Sequence, residues 1–464
     1  MMNRKFKVLL KDTVIFGLGN IGSKIILFFL VPLYTNYLTT EEYGLADLVY
    51  TMSQLIYPVV SIVIYEAVIR FGLMTDQKQE EVLKAGIVVG LLGAILTVAA
   101  TPLLNLYSPV SPWKWYLCIY VILVYTSYIV NSYLKVKNKN KQYALISIAQ
   151  TFCLALSNIV LLAAFHVGIK GYLISNIIAV SVSVVLSAFS GDALKDFFRA
   201  RINRKLLLEM VKFSAPLILN TISWWIILSS DKFMIEAMVS ESALGIYTVA
   251  AKIPALINAL IYIFAQAWNL SSIREMDSTN DVAFYSKVFQ GYTFLTFGAC
   301  VTLTAIIKPF MIVYVGKSFH DAWVYVPILL ASSVFSSIST YYNELYSALK
   351  KSVNSMLTAF LAAGINIIVN YIFILKLGIW GAVIGTIIAT AVLAFIRMAD
   401  VGRAVKIEID YLHFFANCAI ILIQGIMVSL DYHIAMVSII SIMLFALLNY
   451  KTLFDVLHAM KGKA

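Results

Sequence analysis

Two lysines fall deep inside long apolar segments of this chain, where a charged side chain requires a physical explanation. Lys24 lies about thirteen residues into the first segment, or about 20 Å along a helix that rises 1.5 Å per residue. By the same rise, Lys252 lies about 10 Å from one end of the eighth segment. Ionisable residues inside a bilayer are costly and usually face an interior cavity. The two lysines therefore predict a positively charged cavity suited to an anionic head group, with a structural ion pair to Asp47 or Asp231 as the alternative.

Three carboxylates are candidates to line such a cavity or to bind a coupling cation. Asp47 and Asp231 lie near the ends of their apolar segments, and Lys232 beside Asp231 favours an interfacial ion pair there. Glu344 follows a run, 336–343 (SSISTYYN), that is too polar to face lipid. We expect this run to line an aqueous cavity or a helix interface, where a protonatable carboxylate could exchange H⁺ or bind Na⁺.

Two further pairs of opposite charge have the spacing of neighbours on one helix face. Glu66 and Arg70 are spaced i, i+4, and Arg397 and Asp400 are spaced i, i+3. Such pairs favour same-helix salt bridges. Both pairs lie near the predicted inner ends of their segments, so we interpret them as structural pairs rather than as binding groups.

The sequence carries no recognisable pattern for catalysis, metal binding or nucleotide binding. Its five histidines and four cysteines are scattered, without the spacings of metal ligands. Residues 17–22 spell GxGxxG, but they lie inside an apolar segment and do not follow a strand, so close helix packing explains them better. A phosphate-binding loop of the form GxxxxGK[ST] is also missing. We expect no metal, no cofactor and a protein that is not an enzyme.

Composition predicts an all-α polytopic membrane protein. The 464 residues are 61% hydrophobic and 13% charged, whereas soluble domains have about 25% charged residues. A membrane-spanning helix needs roughly 20 apolar residues, and about fourteen segments meet that need. The segments are 13–36, 45–69, 85–106, 114–134, 143–166, 171–190, 210–231, 245–271, 284–307, 323–347, 354–376, 380–400, 410–429 and 433–450.

The positions of the basic residues orient these segments. If the N-terminus is cytoplasmic, most of the 35 lysines and arginines fall in inner loops and termini, and six fall in outer loops. This asymmetry follows the positive-inside rule and places both termini in the cytoplasm. The net charge of +11 is therefore orientation charge facing anionic lipid, and we expect no nucleic-acid partner. The basic stretch 195–205 predicts an amphipathic hinge on the membrane surface.

An internal repeat divides the chain into two similar halves. Residues 167–179 (VGIKGYLISNIIA) recur 210 positions later as 377–389 (LGIWGAVIGTIIA), with seven of thirteen residues identical. Six apolar segments separate equivalent points of the copies, which predicts parallel repeats. We expect two six-helix lobes at 1–194 and 210–403, a basic cytoplasmic linker at 195–209, and two additional spans with a cytoplasmic tail at 404–464.

Prolines and aromatic residues occur inside several of the segments. Pro32, Pro58, Pro216 and Pro254 lie in the first two segments of each half, where each proline can kink its helix. Bent leading helices at equivalent positions fit two bundles that rock around a central site.

Four aromatic residues lie at middle depth, where their rings could stack on sugars. Core packing is nevertheless the interpretation that we favour for them. They are Tyr125, Tyr128, Trp224 and Trp225.

Four stretches resemble a known family. Residues 32–44 (PLYTNYLTTEEYG) resemble the exit of the first span in polysaccharide-repeat flippases, and 135–143 (KVKNKNKQY) resembles their basic turn after the fourth span. Residues 230–235 (SDKFMI) and 243–253 (ALGIYTVAAKI) resemble the signature of the second half. The sequence thus resembles the Wzx-type O-antigen, capsule and exopolysaccharide flippases of the multidrug/oligosaccharidyl-lipid/polysaccharide exporter superfamily.

This resemblance implies a bundle of two lobes that turns undecaprenyl-diphosphate-linked oligosaccharide from the inner to the outer leaflet of a bacterial inner membrane. Transfer would use alternating access, and H⁺ or Na⁺ moving down its gradient would return the carrier to its starting state. Other polysaccharide-assembly membrane proteins would be partners. The anionic diphosphate agrees with the prediction from Lys24 and Lys252. Neither lysine belongs to a family motif.

The sequence leaves two transporter alternatives open. A multidrug/cation antiporter of the same superfamily predicts an acidic or apolar cavity, which Lys24 disfavours. A flippase for lipid II, the peptidoglycan precursor, would differ in the group that it carries.

Overall fold

The computed structural model describes residues 26–74, 77–278, 282–349 and 351–452, and within these ranges every regular element is a helix. The all-α prediction is thereby confirmed. The helices are α1 (Ile26–Tyr37), α2 (Thr40–Val60), α3 (Ile64–Gly72), α4 (Gln79–Ala100), α5 (Lys114–Val136), α6 (Asn140–Asn158), α7 (Ile169–Ser190), α8 (Ala193–Arg199), α9 (Arg204–Met238), α10 (Glu241–Ser278), α11 (Val282–Tyr314), α12 (Val326–Ala348), α13 (Ser352–Leu377), α14 (Ile379–Val401), α15 (Tyr411–Ser429) and α16 (Ile434–Leu448).

Most of the predicted membrane spans coincide with long apolar helices. Among the described residues, ten helices are long and apolar enough to cross a membrane, and α2 with α3 forms an eleventh span if the bent pair is counted as one. The first, seventh and last predicted segments correspond to α1, α9 and α16, which do not enter that set. A multi-pass membrane protein is confirmed, while the count of fourteen stays a prediction.

The chain forms two compact units, 1–230 and 231–464. In the first unit α5 is the central helix and packs against α2, α3, α4, α6 and α7. In the second unit α12 is central and packs against α10, α11, α13, α14 and α15. Each central helix corresponds to the fourth predicted span of its half, as expected of a repeat. The boundary between the units lies inside α9, and the predicted lobes and linker, with their own bounds, stay a prediction.

The duplicated Gly-Ile-x-Gly turns have the same conformation in both units. Gly168 precedes α7 with φ 64° and ψ −146°, and Gly378 precedes α14 with φ 58° and ψ −132°. In each copy the second glycine donates a 2.9 Å backbone hydrogen bond to the first, from Gly171 to Gly168 and from Gly381 to Gly378. Positive φ is readily adopted by glycine, which explains the residue shared by both copies.

The start of α2 explains part of the family-like motif at 32–44. Thr39 and Glu42 form a capping box, in which the Thr39 backbone N–H donates to Glu42 Oε2 at 3.0 Å and the Glu42 N–H donates to Thr39 Oγ1 at 3.1 Å. The other Glu42 oxygen accepts a 3.4 Å bond from the Ile169 N–H at the start of α7. Glu42 therefore connects the repeated turn to the beginning of α2.

A break in the backbone separates α2 from α3. The two helices are bent by 55°, and the break follows Pro58 by three residues. Ile62 and Val63 have φ angles of 53° and 52°, which are rare for β-branched residues. Pro58 is therefore the proline next to this bend, while Pro216 and Pro254 lie inside the helices α9 and α10.

Helix α4 supports this break by packing closely against it. A Cβ atom built on Gly93 would lie 2.5 Å from the Val60 carbonyl oxygen, so α4 can approach the end of α2 because it carries no side chain there. The break is thus covered by protein on this side.

Candidate functional site

The two predicted cavity lysines differ in what the structure describes. Lys24 lies outside the described residues. Lys252 is half-buried on α10, two residues before Pro254. It lies within an apolar span, as the sequence predicts, and its depth and role stay predictions.

The two aspartates that the sequence places near the ends of spans lie beside tyrosines. Asp231 and Tyr247 are joined by a hydrogen bond, in which the Tyr247 hydroxyl donates to Asp231 Oδ2. Asp47 is buried, with 3% of its surface exposed, and interacts electrostatically with Tyr43 and Tyr172. Both carboxylates are therefore placed in tyrosine-rich surroundings rather than open to solvent.

Glu344 is part of a polar network inside the second unit. Asn269 Nδ2 of α10 donates to Glu344 Oε2 at 2.6 Å, and Asn343 Nδ2 approaches Oε1 at 3.4 Å. The Ser355 hydroxyl of α13 donates to Asn343 Oδ1 at 2.6 Å. The polar run at 336–343 therefore does join helices through polar contacts, and the Glu344 carboxylate directly follows it.

Arg397 ends the same network but does not pair with Asp400. Its guanidinium donates to Thr358 Oγ1 at 3.2 Å, to Ser339 Oγ at 3.0 Å and to the Ser355 carbonyl at 3.2 Å. Arg397 is 3% exposed, so these neutral oxygens replace its water. The predicted same-helix pair is not formed, because oxygens from α12 and α13 surround the guanidinium.

Asp400 has partners of its own on neighbouring helices. The Tyr346 hydroxyl donates to Asp400 Oδ2 at 2.7 Å, and Asn354 Nδ2 donates to the same oxygen at 3.0 Å. The carboxylate thus connects α14 to α12 and α13, next to the contacts of Arg397.

The predicted pair of Glu66 with Arg70 is also not formed in the described structure. The Arg70 guanidinium instead lies over the Phe213 ring, 4.4 Å from its centroid. This cation–π contact reaches from α3 to α9, which the spacing along one helix could not reveal.

The basic stretch after the sixth predicted span is held by an acidic anchor. On α8, Asp196 accepts a 2.6 Å hydrogen bond from the Tyr133 hydroxyl and pairs with Lys137 Nζ at 2.9 Å. Burial acts to raise the pKa of Asp196, but the bonds from Tyr133 and Lys137 outweigh it and hold that pKa below its usual value. The anchor attaches α8 to the C-terminal end of α5.

A metal site is not formed by the described part of the chain. Within those ranges, no three His, Cys, Asp or Glu side chains converge as metal ligands. The predicted absence of a cofactor stays a prediction.

Residues 9–269, more than half of the chain, match the model of a family described as "Polysaccharide biosynthesis protein". The chain belongs to this family. The resemblance to polysaccharide-repeat flippases is thereby confirmed at the level of the family. No protein of curated function matches the sequence at a significant level.

Solved structures with the same fold cover most of this polysaccharide biosynthesis family member. The structure titled "Lipid II flippase MurJ, inward closed conformation" aligns with a TM-score of 0.72 at 15% identity, over 95% of this chain and 100% of that one. An inward-facing multidrug resistance MATE family transporter aligns with a TM-score of 0.65 at 15% identity, over 83% and 93% of the two chains. A MOP superfamily transporter from Pyrococcus furiosus aligns with a TM-score of 0.60 at 13% identity, over 85% and 95%. The family member therefore has the MOP superfamily fold.

Several polar groups in this family member were not found by sequence reasoning. The carboxylates of Glu344 and Asp400 are held by Asn269, Tyr346 and Asn354. Each of these partners lies on another helix, at least 46 positions away in the sequence. Their residue types could have indicated such contacts, because amide and hydroxyl side chains inside apolar spans form hydrogen bonds within the protein.

Proposed function

We propose that the protein is a flippase that moves undecaprenyl-diphosphate-linked oligosaccharide repeat units from the inner to the outer leaflet of a bacterial inner membrane. It would serve O-antigen, capsule or exopolysaccharide biosynthesis, including lipopolysaccharide, with both termini in the cytoplasm. The observation that carries this proposal is the family match at 9–269 on a chain built of apolar spans. Polysaccharide units are assembled on a lipid that has a polar head group. Such a head group needs a protein to carry it across the apolar core of a bilayer.

The charges inside the spans support an anionic head group. Lys252 is half-buried within α10, and Lys24 lies by sequence near the middle of the first span. Positive charge inside a span attracts an anionic group, and the diphosphate of a lipid-linked substrate would be such a group. The polyprenyl tail would stay in lipid while the head group crosses.

The mechanism that fits two repeated units is alternating access, in which the units rock and open to one side at a time. Glu344 is the carboxylate that we assign to coupling with H⁺ or Na⁺, because it lies inside a span with amide partners. Asp47 and Asp231 are secondary candidates for this role. Membrane lipids and other polysaccharide-assembly membrane proteins would be its partners.

Transfer in proteoliposomes tests the proposal. The purified chain should move fluorescent undecaprenyl-diphosphate-linked oligosaccharide between leaflets, as measured by the fraction that an external quencher or enzyme can reach. Lys24→Ala and Lys252→Ala should slow transfer at least tenfold, since each would lose an attraction of about 1.4 kcal/mol. Lys376→Ala, an exposed lysine at the end of α13, is the matched control and should transfer normally. Undiminished transfer by both cavity variants would overturn the cationic site.

The match to the lipid II flippase structure over the whole of that chain favours a second candidate substrate. Lipid II has the same lipid diphosphate but carries a sugar-peptide. Transfer rates of lipid II and of lipid-linked oligosaccharide, measured in otherwise identical vesicles, distinguish the two candidate substrates. A repeat-unit flippase should transfer the oligosaccharide faster. Export of organic cations without transfer of either lipid would instead indicate a multidrug transporter.

A further inference from the structure

A cavity of about 500 Å³ lies inside the second compact unit, between the first half of α11, the start of α15 and the end of α16. One part of its wall is apolar and consists of Phe289, Phe294, Phe297, Phe414 and Leu448. The sequence places these three helix ends at the cytoplasmic face of the membrane. The proposed mechanism of transport assigns no role to this cavity.

The cavity is bounded by fixed contacts between its helices. Asn417 Nδ2 of α15 donates to Asn449 Oδ1 at 3.2 Å, and Asn449 Nδ2 donates to Asn417 Oδ1 at 2.9 Å. The Phe294 ring of α11 stacks on Phe445 of α16, with 5.5 Å between the ring centroids. Both amides and the Phe294 ring line the cavity, so this part of its wall is already formed without a ligand, as is usual for a binding pocket.

Charged groups of both signs line the same cavity. The Asp410 side chain, directly before α15, is 58% exposed. Its Oδ1 accepts a 3.1 Å bond from the His413 backbone N–H, and its Oδ2 lies 2.5 Å from His413 Nδ1. Because a carboxylate has about four acceptor positions, Asp410 can bind a further donor. Lys451 is exposed, and its Nζ lies 5.9 Å from the centroid of the Tyr450 ring.

The cavity is continuous with apolar surface on α16. Leu448 lines the cavity, and Leu444 and Leu447 on the preceding turn are 50% and 69% exposed. Exposed leucines on an apolar helix of a multi-pass membrane protein lie against lipid chains, which are equally apolar. An amphiphile of the adjacent leaflet can therefore place its chains along these leucines and its head group in the cavity.

The charges of the lining match a zwitterionic head group that has a primary ammonium group. Such a group donates hydrogen bonds to a carboxylate such as Asp410, while a phosphate accepts them from Lys451 and from the Gln290 amide. A quaternary ammonium group has no hydrogen to donate. A head group that carries only negative charge would be repelled by Asp410.

We propose that this cavity binds one aminophospholipid of the surrounding leaflet, with its ammonium group on Asp410 and its phosphate on Lys451. The phenylalanine wall would cover the glycerol end of the lipid, and the exposed leucines of α16 would contact its acyl chains. This inference goes beyond the proposed function, because the lipid in the cavity is not the lipid that is transported.

Lipid binding to the purified full chain in detergent, measured by native mass spectrometry, tests this inference. The probes are phosphatidylethanolamine, phosphatidylcholine and phosphatidylglycerol with the same acyl chains. Wild type should bind phosphatidylethanolamine about tenfold more tightly than the other two, as expected of one additional hydrogen bond between charged groups. Asp410→Asn should bind phosphatidylethanolamine and phosphatidylcholine equally, and asparagine still caps α15. Lys451→Gln should weaken the binding of both, because both carry the phosphate.

A matched control and three contrary outcomes complete the design. Asp431→Asn changes a carboxylate just beyond the other end of α15 and should keep the wild-type preference. Equal binding of the three lipids by wild type, or a preference that survives in Asp410→Asn, would overturn the assignment. Competition by free phosphoethanolamine at the same concentration as the whole lipid would show a site for a soluble group instead of a lipid.

Displacement of phosphatidylethanolamine by undecaprenyl phosphate would assign the cavity to the transported class of lipid and would also overturn the inference. All of these outcomes concern binding alone. Transfer of lipid-linked oligosaccharide in proteoliposomes is measured separately, so failure of the aminophospholipid site and failure of the proposed function are distinguishable.

Discussion

Gly168 and Gly378, which lie 210 positions apart, hold the same backbone conformation at the start of equivalent helices. Their φ/ψ angles are 64°/−146° before α7 and 58°/−132° before α14. Residues with a Cβ atom rarely adopt such angles. A shared turn of this kind, at matching places in two units, is what a duplicated half-sequence should produce.

Replacing either glycine by alanine should therefore strain the copy of the turn that contains it. We expect Gly168→Ala and Gly378→Ala each to lower the free energy of unfolding by about 1–3 kcal/mol. Gly168→Ala should cost more, because its Cβ would also lie 2.7 Å from Glu42 Oε1, whereas the nearest atom to the Cβ at Gly378 is 3.9 Å away.

Thermal unfolding of the purified variants in detergent measures these costs. Gly364→Ala is the control, since a Cβ there meets nothing within 4 Å and alanine favours the helix. If Gly168→Ala and Gly378→Ala unfold at the wild-type temperature, the turns do not require glycine.

The anchor of α8 should make stability depend on pH. The pKa of Asp196 is held below 3.8, its usual value, so the charged form is favoured in the folded protein. Its contribution is therefore fully present above the unfolded pKa and is lost as the pH falls through the lower folded pKa. Asp196→Asn should be less stable than wild type at pH 7, and this difference should shrink as the pH is lowered below 3.8.

Unfolding midpoints of wild type and Asp196→Asn between pH 7 and pH 3 provide the measurement. Asp192→Asn is the matched control, because Asp192 is 60% exposed and meets Lys139 at 3.3 Å near the surface, where ion pairs contribute little. A difference between wild type and Asp196→Asn that stays constant down to pH 3 would contradict the anchor.

The elements of this fold were predictable because a bilayer imposes the length and apolarity of each span. Most predicted segments coincide with helices, and the glycine repeat marked equivalent turns in both units. The break at 61–63 was not predictable in detail, since Ile62 and Val63 favour neither a turn nor positive φ. It depends on tertiary contacts such as the close approach of Gly93.

The side-chain partners were much less predictable, for a physical reason. Spacing along one helix identifies side chains that can contact each other. The acceptors that other helices place near a guanidinium compete with those contacts, and a single sequence does not reveal them. Arg70 therefore lies over Phe213, and Arg397 binds Ser339 and Ser355 rather than Asp400. The sequence also did not distinguish buried from exposed aromatic residues on α5, which is apolar on most of its faces. Core packing was expected for both Tyr125 and Tyr128, but Tyr125 is buried and Tyr128 is 40% exposed.

Glu344 should control the response of transfer to a cation gradient. Its carboxylate accepts a 2.6 Å bond from Asn269, and glutamine keeps an oxygen for that bond but can no longer be protonated. Glu344→Gln should therefore fold normally and transfer lipid-linked oligosaccharide at a rate that no longer changes with an imposed pH or Na⁺ gradient. Asp431→Asn, an exposed carboxylate paired with Lys308, is the control that should keep the response. A gradient response that persists in Glu344→Gln would assign coupling to another group.

Arg397 should be irreplaceable by lysine, because its guanidinium joins α14 to both α12 and α13. Nε, Nη1 and Nη2 each donate to a different residue, namely Thr358, Ser339 and Ser355, and a single ammonium group cannot reach all three. Arg397→Lys should leave acceptors unpaired and lower the free energy of unfolding by about 2–3 kcal/mol. The exposed Arg403 serves as the control, and Arg403→Lys should unfold like wild type. Equal unfolding midpoints for Arg397→Lys and wild type would mean that charge alone, without the planar fork, holds α12, α13 and α14 together.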